Sequence, residues 1–134
     1  MKRRIAREKA VQCLFQIDMA EVQLQDAVEM VTDGSGEDVE FMLSLVNGAI
    51  DNQAAIDEEI GKFLRGWKLE RIANVDRAIL RLAFYELMFE TEVPKKVIVN
   101  EAIELAKLFS DDQSYRFVNG VLSSYMQESE QPRA

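Results

Sequence analysis

Histidine is absent from this sequence of 134 residues, and cysteine occurs once, as Cys13. The missing histidine removes the most common general base and metal ligand, and the sequence has no phosphate-binding glycine loop or dinucleotide fingerprint. A single cysteine forms no internal disulfide, which favours a reducing compartment. Because Cys13 lies on an apolar helical stripe, we interpret it as a core residue. The sequence therefore predicts no enzymatic activity, no metal site and no cofactor.

Proline occurs only twice and glycine six times, so few turns are marked. Apolar residues recur at helical spacing along nearly the whole chain, and no apolar run is long enough to span a membrane. The pattern predicts an all-α fold of about seven helices, two of them short, in two packed helical subdomains. We place the subdomains at residues 1–66 and 67–128 of a single domain, followed by a polar tail at 129–134. The basic start is not followed by the apolar stretch of a signal peptide, which favours a cytoplasmic protein without membrane association.

Local signals refine four of these elements. The stretch TDGSGED at 32–38 predicts a break between the second and third helices. The fourth helix should end at Gly66, because glycine commonly terminates helices. The stretch VIV at 97–99 has strand propensity, but the NEAIELAK that follows it favours a helix. Gly120 lies inside the last helix, where glycine costs about 1 kcal/mol relative to alanine, so we expect it to allow another helix to approach closely.

Positive charge is concentrated at the start of an otherwise acidic chain. The formal net charge is −8, yet five of the first nine residues are basic and only Glu8 opposes them. Cations at a helix N-terminus oppose the helix dipole, at a cost of roughly a few tenths of a kcal/mol each. A solvated helix end is the simplest interpretation of the cluster. The unfavourable placement instead favours an anionic partner for this end of the chain.

Val11 and Phe15 lie away from the main apolar stripe of the first helix, on the side of the arginines. An aromatic ring beside arginines is typical of single-stranded RNA binding, where cations meet phosphates and bases stack on rings. The same mixture is typical of a protein interface. A third interpretation is that Phe15 packs against the other subdomain, and the residues alone leave all three open.

Two carboxylates fall on the apolar side of the central helix, VDRAILRLAFYELMF at 75–89. Glu86 lies among the apolar positions, and Asp76 lies near the beginning of the helix. An unpaired buried charge is costly, so each carboxylate must be paired, act as a cap or lie at an interface. We favour a structural partner over a contact with another molecule for both.

These segments together resemble the NusB family of transcription antitermination factors, and the resemblance covers almost the whole chain. AREKAVQCLFQ at 6–16 is similar to the first-helix pattern of the family, and NVDRAILRLAFYEL at 74–87 is similar to its central helix. The most specific part is VPKKVIVNEAIELAKLFS at 93–110 followed by YRFVNGVL at 115–122. The stretch from residue 21 to residue 61 is less diagnostic.

The resemblance implies an all-α fold without enzymatic activity. It also implies binding to the boxA element of nascent, single-stranded RNA, together with the small-subunit ribosomal protein that acts as NusE. The complex would join an RNA polymerase antitermination complex that supports readthrough in ribosomal RNA operons. Some NusB-like proteins self-associate through the same surface, so a homodimer is compatible with the resemblance. The alternative is a helical protein–protein adaptor with weak or no RNA binding.

Residue by residue, the resemblance assigns RNA binding to the first helix and to the start of the last helix. The positions in this sequence are Lys2, Arg3, Arg4, Arg7, Gln113, Arg116 and Phe117. The NusE contact falls on Phe15 and Asp76. Two positions depart from the family pattern: Phe15 lacks the hydroxyl of the tyrosine in some relatives, and Gln113 stands where a carboxylate can occur. The second change removes a negative charge near the RNA and would strengthen binding.

Overall fold

The computed structural model describes residues 2–32 and 39–130, and within these ranges the chain forms seven α-helices and no strand. The helices are α1 (Arg3–Ala20), α2 (Leu24–Thr32), α3 (Glu40–Asp51), α4 (Gln53–Gly61), α5 (Asn74–Phe89), α6 (Lys95–Phe109) and α7 (Asp112–Glu130). A 3₁₀ turn at Leu69–Arg71 precedes α5. The predicted all-α fold of seven helices is confirmed, with α2 and α4 the two shortest. None of the described helices is both long and apolar enough to cross a membrane.

Helix α5 is the centre of the molecule and contacts α1, α3, α4, α6 and α7. More than half of its residues are buried, which explains why apolar residues occupy most of its circumference. The buried side chains form one core that continues from α1 to α7. The predicted division at residue 66 therefore separates two groups of helices that share a core. Helix α7 extends to Glu130, two residues into the predicted polar tail, and residues 131–134 lie outside the described part of the chain, as do residues 33–38 of the predicted TDGSGED break.

The prediction that α4 ends at Gly66 is wrong, because the helix ends at Gly61. After α4 the backbone hydrogen bonds tighten to a three-residue spacing, with the amides of Phe63 and Leu64 donating to residues 60 and 61. Both side chains turn into the core. Gly66 instead adopts a left-handed conformation with φ +94°, next to Arg65 with φ +51°. The apolar spacing continued past the point where the helical hydrogen bonds stop.

The later helix boundaries follow their sequence signals. Residues 97–99 lie within α6, so the helical prediction for this stretch is confirmed. Pro94 immediately precedes α6, where its missing amide hydrogen costs nothing. The Asp111 side chain caps α7 by accepting a hydrogen bond of 2.8 Å from the amide of Ser114.

Helix α1 buries a wider arc than the single stripe in its sequence. Ala10 and Cys13 are buried as predicted, and burial raises the pKa of the Cys13 thiol to about 11, so the thiol is protonated at neutral pH. Val11 is only 1% exposed, so the expectation that it points away from the core is wrong. The reason is that α1 packs against α2, α3 and α5 at once, which encloses more than one of its faces.

A buried ion pair joins α1 to α5. Arg7 donates two parallel hydrogen bonds to Glu86, from Nε to Oε1 at 2.8 Å and from Nη2 to Oε2 at 2.9 Å. Only 6% and 3% of these two side chains are exposed, and the hydrogen bond to Glu86 raises the pKa of Arg7. The preference for a structural partner of Glu86 is confirmed. The expectation that Arg7 contacts RNA stays a prediction, and it would require Arg7 to leave an enclosed position in which a carboxylate already occupies its guanidinium.

A second ion pair, at the other end of α1 and α5, shows the relative direction of the two helices. Arg77, near the start of α5, donates hydrogen bonds of 2.9 and 2.7 Å to Asp18, near the end of α1. Arg7 lies near the start of α1 and Glu86 near the end of α5, so the two helices run antiparallel. The beginning of α1 is therefore held at the C-terminal end of α5. The beginning of α7 lies at the opposite end, because Ser110 just before it donates to Asp76.

Removal of one partner from the buried pair should destabilise the fold strongly. Arg7→Met would leave the Glu86 carboxylate buried without a cation, at a cost of about 3–5 kcal/mol in unfolding free energy. The double variant Arg7→Met/Glu86→Leu should recover most of this loss, because it buries no charge. Arg4→Met is the matched control on the same helix. Because the ion pair of Arg4 with Glu101 is exposed, its loss should lower the unfolding free energy far less. Urea denaturation measures all three, and equal losses for Arg4→Met and Arg7→Met would contradict this assignment.

Gly48 and Gly120 both lie inside helices and should respond oppositely to alanine. A Cβ at Gly120 would meet nothing within 4 Å, so the expected close helix approach there is absent, and Gly120→Ala should stabilise α7 by about 0.5–1 kcal/mol. A Cβ at Gly48 would lie 2.2 Å from the ring of Tyr85, so Gly48→Ala must displace that ring, at a cost of about 1–3 kcal/mol. Thermal and urea unfolding of both variants test the pair, and the prediction is wrong if Gly48→Ala is as stabilising as Gly120→Ala.

Candidate nucleic-acid and partner interface

Three cations of the N-terminal cluster lie on the surface at the beginning of α1: Lys2, Arg3 and Arg4. The side chain of Lys2 has no hydrogen-bond or ion-pair partner within the described ranges and does not cap the helix. The guanidinium of Arg3 lies 4.4 Å from the ring centroid of Phe41 in α3. This cation–π contact positions Arg3 without neutralising its charge. These cations are therefore available to an anion, with the helix dipole still unfavourable to their charge.

Arg4 is exposed but has an acidic partner. Its Nε and Nη2 donate hydrogen bonds of 3.1 and 3.0 Å to Glu101 in α6, and 62% of its side chain remains exposed. The Arg4 guanidinium lowers the pKa of Glu101, which keeps that carboxylate ionised. A phosphate at this position would compete with Glu101 for Arg4. The acidic neighbour is a reason to expect weaker anion binding by Arg4 than by Lys2 or Arg3.

Gln113, Arg116 and Phe117 lie on the first two turns of α7, beside the start of α5. Gln113 and Arg116 are exposed, and Phe117 is half-buried. Arg116 makes no ion pair within the described residues. A groove of about 230 Å³ lies next to these side chains, and its lining includes Gln113, Phe117 and Asp76. Gln113 and Phe117, which the resemblance assigns to RNA, thus line the same groove as Asp76, which it assigns to the protein partner.

Asp76 is buried and has a structural hydrogen bond. It is 3% exposed, and its Oδ1 accepts a hydrogen bond of 2.8 Å from Ser110 Oγ. The N-cap position of α5 belongs to Ala73, so Asp76 does not cap its helix in that sense. Its carboxylate instead ties the first turn of α5 to the connection between α6 and α7. A partner that occupied the groove beside Gln113 would lie next to Asp76.

Phe15 lies in a second, larger groove of about 620 Å³. The lining combines α1 with side chains of α2, α5 and α6, including Met30, Val75 and Phe109. Phe15 is half-buried and packs against the core, while Met30 is 54% exposed. The ring therefore contributes both to packing between the two groups of helices and to an open apolar surface. The groove has the chemical character of a protein-binding site.

The structure does not bring all of the assigned RNA residues together. Lys2, Arg3 and Arg4 lie near the level of Glu86, and the α7 residues lie near Asp76, ten residues earlier on α5. At 1.5 Å per residue the two groups are separated by roughly 15 Å along the α5 axis. The two grooves, in contrast, both include a residue from the first turn of α5, because Val75 lines one and Asp76 lines the other.

Trp67 is a surface residue that the sequence patterns did not single out. It follows the left-handed turn at Arg65 and Gly66, is 62% exposed, and its ring lies 6.3 Å from that of Phe117 at an interplanar angle of 68°. The available signal was the single tryptophan of the chain in the polar stretch WKLER between two helices. Helical periodicity says nothing about such a position, because its exposure is set by the turn.

The described residues contain no group of three or more histidine, cysteine, aspartate or glutamate side chains placed to hold a metal ion. Cys13 is buried and protonated, whereas a reactive cysteine is accessible and ionised. The arrangement of exposed cations, an exposed tryptophan beside Phe117 and an apolar groove is suited to binding polymers.

Comparison with known proteins supplies the family. A model of the NusB family matches residues 4–127. The transcription antitermination protein NusB of Bacillus subtilis strain 168 is 53% identical over 131 residues, which cover 98% of this chain and 99% of that protein. The NusB of Bacillus velezensis is 56% identical over 124 residues, which cover 92% of this chain and 95% of that protein.

Solved structures show the same relationship. The structure of T. maritima NusB has a TM-score of 0.84 at 34% identity, covering 96% of this chain and 92% of that chain. A chain in a complex of the antitermination factors NusB and NusE with double-stranded RNA has a TM-score of 0.82 at 27% identity, covering 94% of this chain and 96% of that chain. With the family match, the sequence identity and the shared fold in agreement, this chain belongs to the NusB family.

Proposed function

We propose that the protein is an RNA-binding antitermination factor that binds boxA-type nascent RNA together with the small-subunit ribosomal protein acting as NusE. In this proposal the complex acts on RNA polymerase and supports readthrough in ribosomal RNA operons. The observation that carries the proposal is the exposed cationic surface of Lys2, Arg3 and Arg4 on a chain of net charge −8. The similar NusB chain in a complex with NusE and RNA supports both classes of partner.

The exposed cations suit a single bound strand better than general attraction to nucleic acid. An acidic surface repels phosphates over most of the molecule, so only a strand that follows the cationic positions gains energy. Arg116, which makes no ion pair within the described residues, adds a further exposed cation at the start of α7. The apolar groove beside Phe15 supplies a separate place for the ribosomal protein.

A helical adaptor with weak RNA binding is the second candidate. Two observations favour it: Arg7 is buried against Glu86, and Arg4 is held by Glu101, which together reduce the number of free cations. Its protein partner would use the Phe15 groove. The salt dependence of RNA binding separates the two functions, because an adaptor without phosphate contacts would show almost none.

The variant Lys2→Gln/Arg3→Gln/Arg4→Gln should flatten the salt dependence of RNA binding. With about four phosphates neutralised by these cations and Arg116, the log–log slope for single-stranded RNA should be about −3. Loss of three contacts should reduce its magnitude by about 2. RNA titrations at several salt concentrations measure this slope.

The folded double variant Arg7→Met/Glu86→Leu is the control for that experiment. It also removes an arginine from the N-terminal cluster, but one that is buried in the structure. Its slope should equal that of the parent protein. A flatter slope in the control, or an unchanged slope in the triple variant, would count against the N-terminal cations as the phosphate-binding surface.

Met30→Glu should weaken binding of the ribosomal protein without weakening the fold. Met30 lines the Phe15 groove and is 54% exposed, so a carboxylate there opposes an apolar partner at little cost to packing. We expect a loss of about 1–2 kcal/mol in partner affinity, a typical value for an interface position. Met19→Glu is the matched control, because Met19 is 49% exposed and does not line the groove.

Phe15→Ala and Asp76→Asn extend the same test to the two assigned residues. Asp76→Asn removes the charge and keeps an oxygen that can accept from Ser110. Calorimetric titration with the ribosomal protein and thermal unfolding should be measured on the same preparations. If the loss of partner affinity follows the loss of melting temperature across the variants, these residues serve the fold and not the interface.

A further inference from the structure

Trp67 and Phe117 form an aromatic pair on the surface between α4 and α7. We call this pair the aromatic ridge. Trp67 is 62% exposed, more than any other large apolar side chain in the described residues, although tryptophan is a costly residue to leave in water. Its contact with Phe117 is edge-to-face at 6.3 Å, so the indole is oriented by a neighbour while much of its surface stays open. A ring so placed is suited to receive another ring.

The ridge separates two open grooves. On one side, a groove of about 180 Å³ is lined by Arg65, Arg116 and the helical face at Gly120. On the other side lies the groove of about 230 Å³ that contains Arg71 and Gln113. Both grooves therefore include the two aromatic rings and at least one arginine. A flat group that enters either groove would contact a ring and a guanidinium together.

The charge around the ridge is opposite to that of the whole chain. Arg71 and Arg116 have no acidic partner within the described part of the chain, and Arg65 donates only to the hydroxyl of Ser124, at 3.1 Å. The one carboxylate in the lining, Asp76, is 3% exposed and is occupied by Ser110. None of the three guanidinium groups around the exposed indole is neutralised by a carboxylate in the described residues, so their charge is available to a polyanion. Their number favours RNA over an apolar protein segment as the occupant.

We propose that Trp67 is a base-stacking residue for single-stranded RNA. An unpaired base stacks on the exposed indole of the aromatic ridge, and Arg65, Arg71 and Arg116 bind the phosphates on either side of that nucleotide. This inference rests on the proposed RNA-binding function and extends the contact region expected at the start of α7 to Trp67, Arg65 and Arg71. The N-terminal cations meet the strand at one end of α5, and the ridge holds a base at the other end.

The local backbone supports a fixed position for this ring. Arg65 has φ +51°, a conformation that costs a residue with a side chain some energy, and Gly66 follows with φ +94°. The amide of Trp67 donates a hydrogen bond of 3.1 Å to the carbonyl of Leu64, whose side chain is buried. The turn therefore connects the exposed indole directly to the core. A pre-positioned ring loses little conformational freedom when a base stacks on it.

Because Trp67 is the single tryptophan of the chain, its fluorescence reports on the ridge alone. Unlabelled single-stranded boxA-like RNA should quench this fluorescence with the same midpoint as an anisotropy titration of labelled RNA. Trp67→Ala should weaken RNA binding roughly 5- to 150-fold, the range expected for loss of one base–aromatic stack. Trp67→Phe keeps a ring and should lose less. Because the indole is largely exposed, neither variant should lower the melting temperature appreciably.

RNA in which single bases are removed in turn identifies the stacked nucleotide. One abasic position should weaken binding to the parent protein and have no further effect on Trp67→Ala. Lys2→Gln/Arg3→Gln/Arg4→Gln serves as the reference variant: it should lower affinity while the remaining binding still quenches the tryptophan.

The outcomes separate this inference from the function on which it rests. RNA binding with unchanged tryptophan fluorescence and equal affinity for Trp67→Ala would overturn the stacking role and leave the RNA-binding function standing. Normal RNA affinity combined with weaker binding of the ribosomal protein by Trp67→Ala would assign the ridge to a protein and overturn the proposal. Absence of RNA binding by the parent protein at low salt would overturn both.

Discussion

The antiparallel alignment of α1 on α5 depends on ion pairs at both ends of the two helices. The buried pair between Arg7 and Glu86 requires the more exact geometry. Two ions removed from water are tolerated only because the guanidinium and the carboxylate meet through two parallel hydrogen bonds of 2.8 and 2.9 Å. A shift of α1 by one turn would leave both charges buried and unpaired. The pair therefore specifies register as much as it stabilises, and this register decides which residues of the N-terminal cluster reach the surface.

Consequences for binding follow from the same alignment. With Arg7 at the level of Glu86, the preceding turn of α1 extends towards the C-terminal end of α5 and exposes Lys2 and Arg3. At the other end, Arg77 binds Asp18, and Asp76 binds Ser110, which brings the start of α7 and the turn at Trp67 to the start of α5. The central helix thus acts as a spacer of roughly 15 Å between two cationic regions. A strand that contacts both must span at least this distance.

Much of the fold could be predicted from the sequence, because helical periodicity and the requirement for a partner of Glu86 are local or general physical constraints. The identity of that partner could not: a helical projection gives the direction of Arg7 but not the helix that it faces. Val11 was misplaced for the same reason, since α1 is enclosed by three helices. The position of Trp67 depends on two left-handed residues in a turn, and neither periodicity nor composition specifies such a turn. Residues whose positions are set by tertiary neighbours are therefore the ones that sequence reasoning misplaced or missed.

Both grooves are lined in part by the first turn of α5, which bears on how RNA and protein partners would act together. Val75 lines the Phe15 groove, and the next residue, Asp76, lines the groove beside the aromatic ridge. Two ligands that occupy these grooves at once would therefore both contact the first turn of α5, and any coupling between them would pass through that turn. Thermodynamic linkage requires the effect to be reciprocal: whatever factor the ribosomal protein adds to RNA affinity, RNA adds to the affinity for the ribosomal protein. The rigid first turn of α5, held by the hydrogen bond from Ser110, would then serve both sites as a common wall.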